Sequence, residues 1–186
     1  MTVAMLDIAS KVVLRGQAKY PIYLVLDSPG GSIYAGDNFI QFAKTIRNLH
    51  TITMYSASMA AGIAQALPGR RLITEHGMFM FHRATTTISG QISEGELESR
   101  LANSKRLVRR MEVKNAKRIG ITLQKYKQNV KDEWWLDAEK AILSKVADAI
   151  VDIHCSPALI KKKLTTVKRT FFGNKTITRS ACPLIL

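Results

Sequence analysis

Apolar and polar positions along this chain fall into short runs whose period changes in a repeating way. Ile22-Tyr23-Leu24-Val25-Leu26 is a continuous apolar, β-prone run, the pattern of a strand covered on both faces. It stops in Asp27-Ser28-Pro29-Gly30-Gly31, a turn-forming stretch, and the pattern from Ile33 to about Leu49 predicts a helix. The same succession then repeats: a strand at Thr51–Tyr55, a small-residue turn at Ser56-Ala57-Ser58, and an alanine-rich helix to about Leu67. Stacked strand–turn–helix units imply an α/β fold. Arg71–Thr74 and Met78–Phe81 read as two more short strands about a Glu75-His76-Gly77 turn. Thr85–Ile92 is β-branched and expected to be extended.

From Glu94 to about Ile119, Leu97, Leu101, Val108 and Met111 recur at helical spacing among many Lys and Arg, which predicts a long helix with one packed and one wet face. A further helix to about Asn129, the segment Trp134-Trp135-Leu136 and an amphipathic helix near Ala138–Ser144 complete the pattern. At the front, Val3, Leu6, Ile8, Val12 and Val13 suit a buried helix from Val3 to about Leu14. After His154 the composition shifts to seven basic and no acidic residues in 32, without clear periodicity.

With 186 residues and 46% hydrophobic content, one domain with a good core is expected. The net charge of +14 raises the question of a polyanionic partner. Phe171 and Phe172 are a lone aromatic pair and not an interleaved stacking platform, so the charge reads as solvated faces and nucleic acid is not expected. Cys155 and Cys182 have neither CxxC spacing nor a histidine at metal-ligand spacing, so neither a disulfide nor a metal site is expected. No stretch reaches the ~18 apolar residues of a membrane span, and the N-terminus lacks the layout of a signal peptide. A cytoplasmic chain with no membrane partner is the reading.

Three segments carry candidate chemistry. Gly30-Gly31, where a buried strand gives way to a helix, allow positive φ and close approach of a ligand to the backbone amides, so the turn can cradle a peptide or an oxyanion, or can be plain punctuation. Ser58 stands at the mouth of a helix, where the dipole and the amide of Met59 would stabilise negative charge developing beside a nucleophile. It could equally be an N-cap, and Ser56 is a rival nucleophile by the same argument. His82 ends the run Met78–Phe81, where a strand leaves the core, and is the candidate general base, with His76 the weaker alternative.

Together, Ser28-Pro29-Gly30-Gly31, Ala57-Ser58-Met59-Ala60 and Met80-Phe81-His82 resemble the proteolytic subunit of the Clp protease in order and spacing. The resemblance runs from the first helix to about Ile153 and implies a Clp/crotonase-like spiral of ββα units with a protruding handle helix at about 85–119. It implies a peptidase domain over 1–153, followed by a basic tail over 154–186. It also implies Ser58 as nucleophile, His82 as base, and the N–H groups of Gly31 and Met59 as the oxyanion hole. The family's acid lies two residues before an aromatic-Leu-Ser-Ala segment. Matching that segment to Trp135-Leu136-Asp137-Ala138 makes Glu133 the acid; starting it at Trp134 makes Asp132 the acid. The family's strand and axial loop ahead of the first helix fall before Met1.

By resemblance the chain is a serine endopeptidase acting through an acyl-enzyme inside stacked, heptameric homo-oligomeric rings. Its substrate is a protein or peptide, its partner an AAA+ Clp ATPase, and no cofactor or metal is called for. The alternatives are a catalytically inactive ring or shell component and a crotonase-type acyl-CoA enzyme.

Overall fold

The computed structural model describes residues 21–85, 90–170 and 173–182. The expected helix at 3–14 and residues 86–89 of the expected extended stretch lie outside the described residues. The chain divides into two compact units, Met1–Val151 and Asp152–Leu186.

In the first unit β1 (Ile22–Ser28) runs parallel to β2 (Leu49–Ala57), and β2 runs parallel to β3 (Arg71–Phe81). The crossovers are α1 (Ile33–Ala43) and α2 (Met59–Ala66), so the architecture is α/β as the strand–turn–helix succession predicts. The first crossover helix ends before the expected Leu49. The Thr45 hydroxyl donates to the Phe42 carbonyl at 2.7 Å, Asn48 takes φ 57°, and Leu49 turns its side chain into the core as the first residue of β2.

The segment 71–81, expected as two strands, is one. Its partners explain its length. Leu72–Thr74 pairs in parallel with β5 (Ala149–Val151), and Met78–Phe81 pairs antiparallel with β4 (Trp134–Asp137). Against β2 the register steps from Thr53↔Ile73 to Tyr55↔Met78. The Glu75-His76-Gly77 stretch therefore absorbs the offset and does not reverse the chain.

Helix α2 is buried along nearly its whole length. Its small residues let it lie close to the sheet, with Ala61 and Ala64 in a cluster with Ile73, Phe79, Phe81 and Leu136. Met59, Ile63 and the following Leu67 face α1 through Phe39 and Ile40. The long helix α3 (Glu94–Ile119) begins in a Ser93/Glu96 capping box and ends at Gly120 in the left-handed conformation. Only Asn115, Ala116 and Ile119 on it are buried; Leu97, Leu101, Val108 and Met111 are half-buried. Helices α4 (Leu123–Asn129) and α5 (Ala138–Leu143) close the unit.

The second unit consists of α6 (Pro157–Lys161) and an antiparallel hairpin, β6 (Lys163–Thr170) with β7 (Gly173–Ser180). A segment without legible periodicity is thus structured. The cysteines expected to be unpaired form the disulfide Cys155–Cys182, their Cα atoms 5.8 Å apart. The hairpin causes this by returning the chain to its start, where the Ala181 amide donates to the Lys162 carbonyl at 2.7 Å. Cysteine usage therefore gives no argument for a reducing compartment. Among the described residues no helix is long and apolar enough to cross a membrane, and no group of three His, Cys, Asp or Glu could hold a metal ion.

One buried charge ties the start of β3 to the segment before β5. The Arg71 guanidinium, 7% exposed, meets Asp148 at 2.5 Å and also donates to Gln65 Oε1 at 2.8 Å. Burial pushes the Asp148 carboxyl up, but hydrogen bonds from Arg71 and the charges of Arg71 and Arg118 outweigh it and hold the group below the usual carboxylate range. Asp148→Ala leaves a buried guanidinium uncompensated and should lower the unfolding free energy by about 3 kcal/mol, read from urea denaturation at neutral pH. Because the folded pKa is depressed, the contribution is complete above the unfolded aspartate value near ~4 and disappears as pH falls through the lowered folded value. Parent and variant should therefore converge in acid, and equal midpoints at neutral pH would contradict the assignment.

Candidate active site

Adjacent strands that end level with each other bring Ser58 and His82 together. Ala57 of β2 pairs with Met80 of β3, and the Ser58 amide donates to the Met80 carbonyl at 2.8 Å. Ser58 is thus the single residue between the end of β2 and the start of α2, and His82 is the first residue past β3. A turn from strand to helix over one residue demands an unusual backbone, and Ser58 has φ 55° and ψ −120°, a sparsely populated region that costs a non-glycine residue roughly 1–3 kcal/mol. Its side chain makes no cap hydrogen bond. Instead Oγ lies 2.7 Å from His82 Nε2.

Of the rival residues, Ser56 is fully buried and its hydroxyl pairs with Thr53 at 3.2 Å. His76 is exposed on β3.

The Gly30-Gly31 turn lies against the serine. Gly30 has φ 99°, and a Cβ there would come within 2.6 Å of the Ala57 carbonyl oxygen and 2.8 Å of the Met59 amide nitrogen. Gly31 has φ 137° and opens onto free space. Met59 is the first residue of α2, so its amide has no intrahelical acceptor. Gly31 and Met59, with Ser58 and His82, rim a cleft of about 70 Å³ whose walls include Phe81, Met111, Asn115 and Tyr126.

Among the described residues no carboxylate is hydrogen-bonded to or paired with His82. Glu133 is exposed and accepts a hydrogen bond from the Trp135 indole at 2.8 Å. Asp132 is exposed, and among the described residues no hydrogen bond joins either acid to His82. The β3–β4 ladder ends at Phe81↔Trp134; one further step of an antiparallel register, which the ladder does not itself make, would set His82 across from Glu133.

Sequence reasoning missed two residues of the cleft, Asn115 and Tyr126. Their side chains meet where the Asn115 amide donates to the Tyr126 hydroxyl at 3.1 Å. Burial pushes the Tyr126 phenol up to about 12, with the Asn115 bond opposing and the Glu112 charge adding, so it is a neutral hydroxyl at any working pH. The missed signal was in the helical spacing: Val108 and Met111 are followed, one turn on, by a polar residue at 115 on the apolar stripe.

Against known proteins, the family model described as Clp protease matches residues 2–154. The ATP-dependent Clp protease proteolytic subunit 2 of Gluconobacter oxydans (strain 621H) is 27% identical over 154 residues, 78% of this chain and 67% of the relative. The subunit 2 of Prochlorococcus marinus (strain NATL2A) is 34% identical over 128 residues, 65% and 62% of the two chains. The subunit 1 of Streptomyces coelicolor (strain ATCC BAA-471 / A3(2) / M145) is 27% identical over 146 residues, 73% and 64% of the two. The aligned region thus spans about two thirds of these relatives' own length.

The two glycines of the turn separate steric crowding from backbone conformation. Gly30→Ala combines a positive φ with a clash against backbone and should destabilise by about 3 kcal/mol, whereas Gly31→Ala has open space and should cost only about 1 kcal/mol. Thermal unfolding of both variants measures this, and equal losses would show that crowding at Ser58 is not the reason for a glycine at 30.

Proposed function

The chain belongs to the Clp protease family, and we propose that it is a serine endopeptidase that cleaves peptide bonds through an acyl-enzyme on Ser58. The observation that carries this reading is the 2.7 Å approach of Ser58 Oγ to His82 Nε2, made by a serine that occupies a helix-cap position without using its side chain as a cap. In the reaction His82 takes the hydroxyl proton as Oγ adds to the scissile carbonyl. It then returns the proton to the leaving amine. The amides of Gly31 and Met59 hold the tetrahedral oxyanion. Water enters with His82 again as base, and the acid product leaves.

The substrate would lie extended along Gly30-Gly31, adding main-chain hydrogen bonds as a strand does. We assign Glu133 as the third member and Asp132 as its alternative, the strand register favouring Glu133. Glu133 Oε2 accepts from the indole of Trp135, a residue itself 44% exposed, and Oε1 makes no hydrogen bond among the described residues, so Oε1 is the oxygen assigned to His82 Nδ1. Exposed Tyr34, Leu143 and Ile150 on the same unit supply apolar surface that association of copies would cover. Stacked rings with α3 as the interlocking handle, fed by an ATP-driven Clp partner, are the assembly proposed from the family.

A fluorophosphonate probe on the assembled protein should label Ser58, and Ser58→Ala should abolish both labelling and peptide cleavage. His82→Ala should lower kcat by roughly 10⁴-fold. Glu133→Gln should lower it strongly, and Asp132→Asn little. Native mass measured on the same sample reports the ring. Stable oligomers without labelling would favour the inactive shell over the peptidase, and cleavage that survives Ser58→Ala would remove Ser58 as nucleophile.

A further inference from the structure

The cleft beside Ser58 has apolar walls and a polar floor. Phe81, Met111 and Ile33 line its sides. At the floor Asn115 is 1% exposed, and its Oδ1 is buried without a hydrogen-bond partner. Its Nδ2 donates to the Tyr126 hydroxyl at 3.1 Å, which leaves the hydroxyl's own proton unused among the described residues. A buried acceptor left unpaired is costly unless something meets it. The floor therefore offers one acceptor, Asn115 Oδ1, and one donor, Tyr126 O–H, side by side. Exchanging the amide oxygen and nitrogen of Asn115 offers the same complement, a donor from Asn115 and an acceptor from Tyr126.

We propose that this cleft selects a substrate residue whose side chain ends in a carboxamide, glutamine or asparagine, immediately before the scissile bond. The inference rests on the peptidase reading above. A carboxamide carries one acceptor oxygen and an N–H donor on the same planar group, so it answers both floor atoms while its methylenes lie along Phe81 and Met111. An apolar side chain entering the cleft displaces water from Asn115 and Tyr126 and returns no hydrogen bond. A carboxylate, which has only acceptors, leaves one floor acceptor unmet in either orientation of Asn115, and no Lys or Arg lines the cleft to balance its charge. Asn115 and Tyr126 are specificity-determining residues in this account.

The test is a set of fluorogenic peptides identical except at that residue, carrying Gln, Asn, Leu, Glu or Lys, given to the full assembled chain with fluorophosphonate labelling of Ser58 run alongside. Expected is a kcat/KM for the Gln or Asn peptide at least about tenfold above those for Leu, Glu and Lys. Asn115→Leu should reverse the preference toward Leu, and Tyr126→Phe, which removes one hydroxyl and keeps the packing, should lower the Gln-to-Leu ratio severalfold. Labelling of Ser58 with Leu, Glu or Lys cleaved as well as Gln and Asn, or with the Gln and Asn peptides left intact, overturns the specificity assignment while the nucleophile stands. Absence of both labelling and cleavage overturns the peptidase reading and this inference with it.

Discussion

One backbone hydrogen bond, from the Ser58 amide to the Met80 carbonyl at 2.8 Å, fixes where two strands stop relative to each other. In a parallel pair the register alone determines which residues emerge at the carboxyl ends. A slip of one residue between β2 and β3 would point the wrong side chains at each other. Because the bond extends the ladder one residue past Ala57↔Met80, Ser58 and His82 leave the sheet together. The helix that starts at Met59 and the Gly30-Gly31 turn are then packed around a position already set. Open α/β sheets hold ligands in the crevice at the carboxyl ends of their strands, and this cleft lies there.

What the sequence discloses and what it withholds follow from range. Local signals sufficed for the presence of β1, for α2 and for the limits of α3, since a continuous apolar run, a small-residue helix and a capping box each act within a few residues. The cover expected on both faces of β1 is not found: among the described residues it is an edge strand that pairs only with β2, with Leu26 buried and Tyr23 50% exposed. The serine and histidine were legible because each sits at the end of an apolar run, and ends of runs are visible without knowing the fold. The unity of β3 was not. Gly77 and its polar neighbours look like a turn until one knows that β4 and β5 share the same edge of the strand. The Cys155–Cys182 pairing depends on a hairpin that no apolar alternation announces, because almost every side chain on β6 and β7 with a described environment is exposed. Asn115 was passed over for the opposite reason: one polar residue on an apolar stripe weighs little until its burial is known.

The surplus of positive charge is distributed in keeping with this division. Much of it lies on the outward faces of α3 and on the second unit, where the residues are exposed, and the one deeply buried guanidinium among the described residues, Arg71, is matched by Asp148 and Gln65. Charge here marks what faces water, and no Lys, Arg, Asp or Glu is among the residues lining the cleft beside Ser58.

The backbone of Ser58 sets stability and chemistry against each other. At φ 55° and ψ −120° a glycine would rest without the strain that a side chain meets. Random drift at this position is therefore rewarded, in folding alone, for losing the hydroxyl, and a lineage released from the need for it could gain a sturdier shell by a single substitution. Under the proposed chemistry, the serine gives up folding stability for a hydroxyl held against His82.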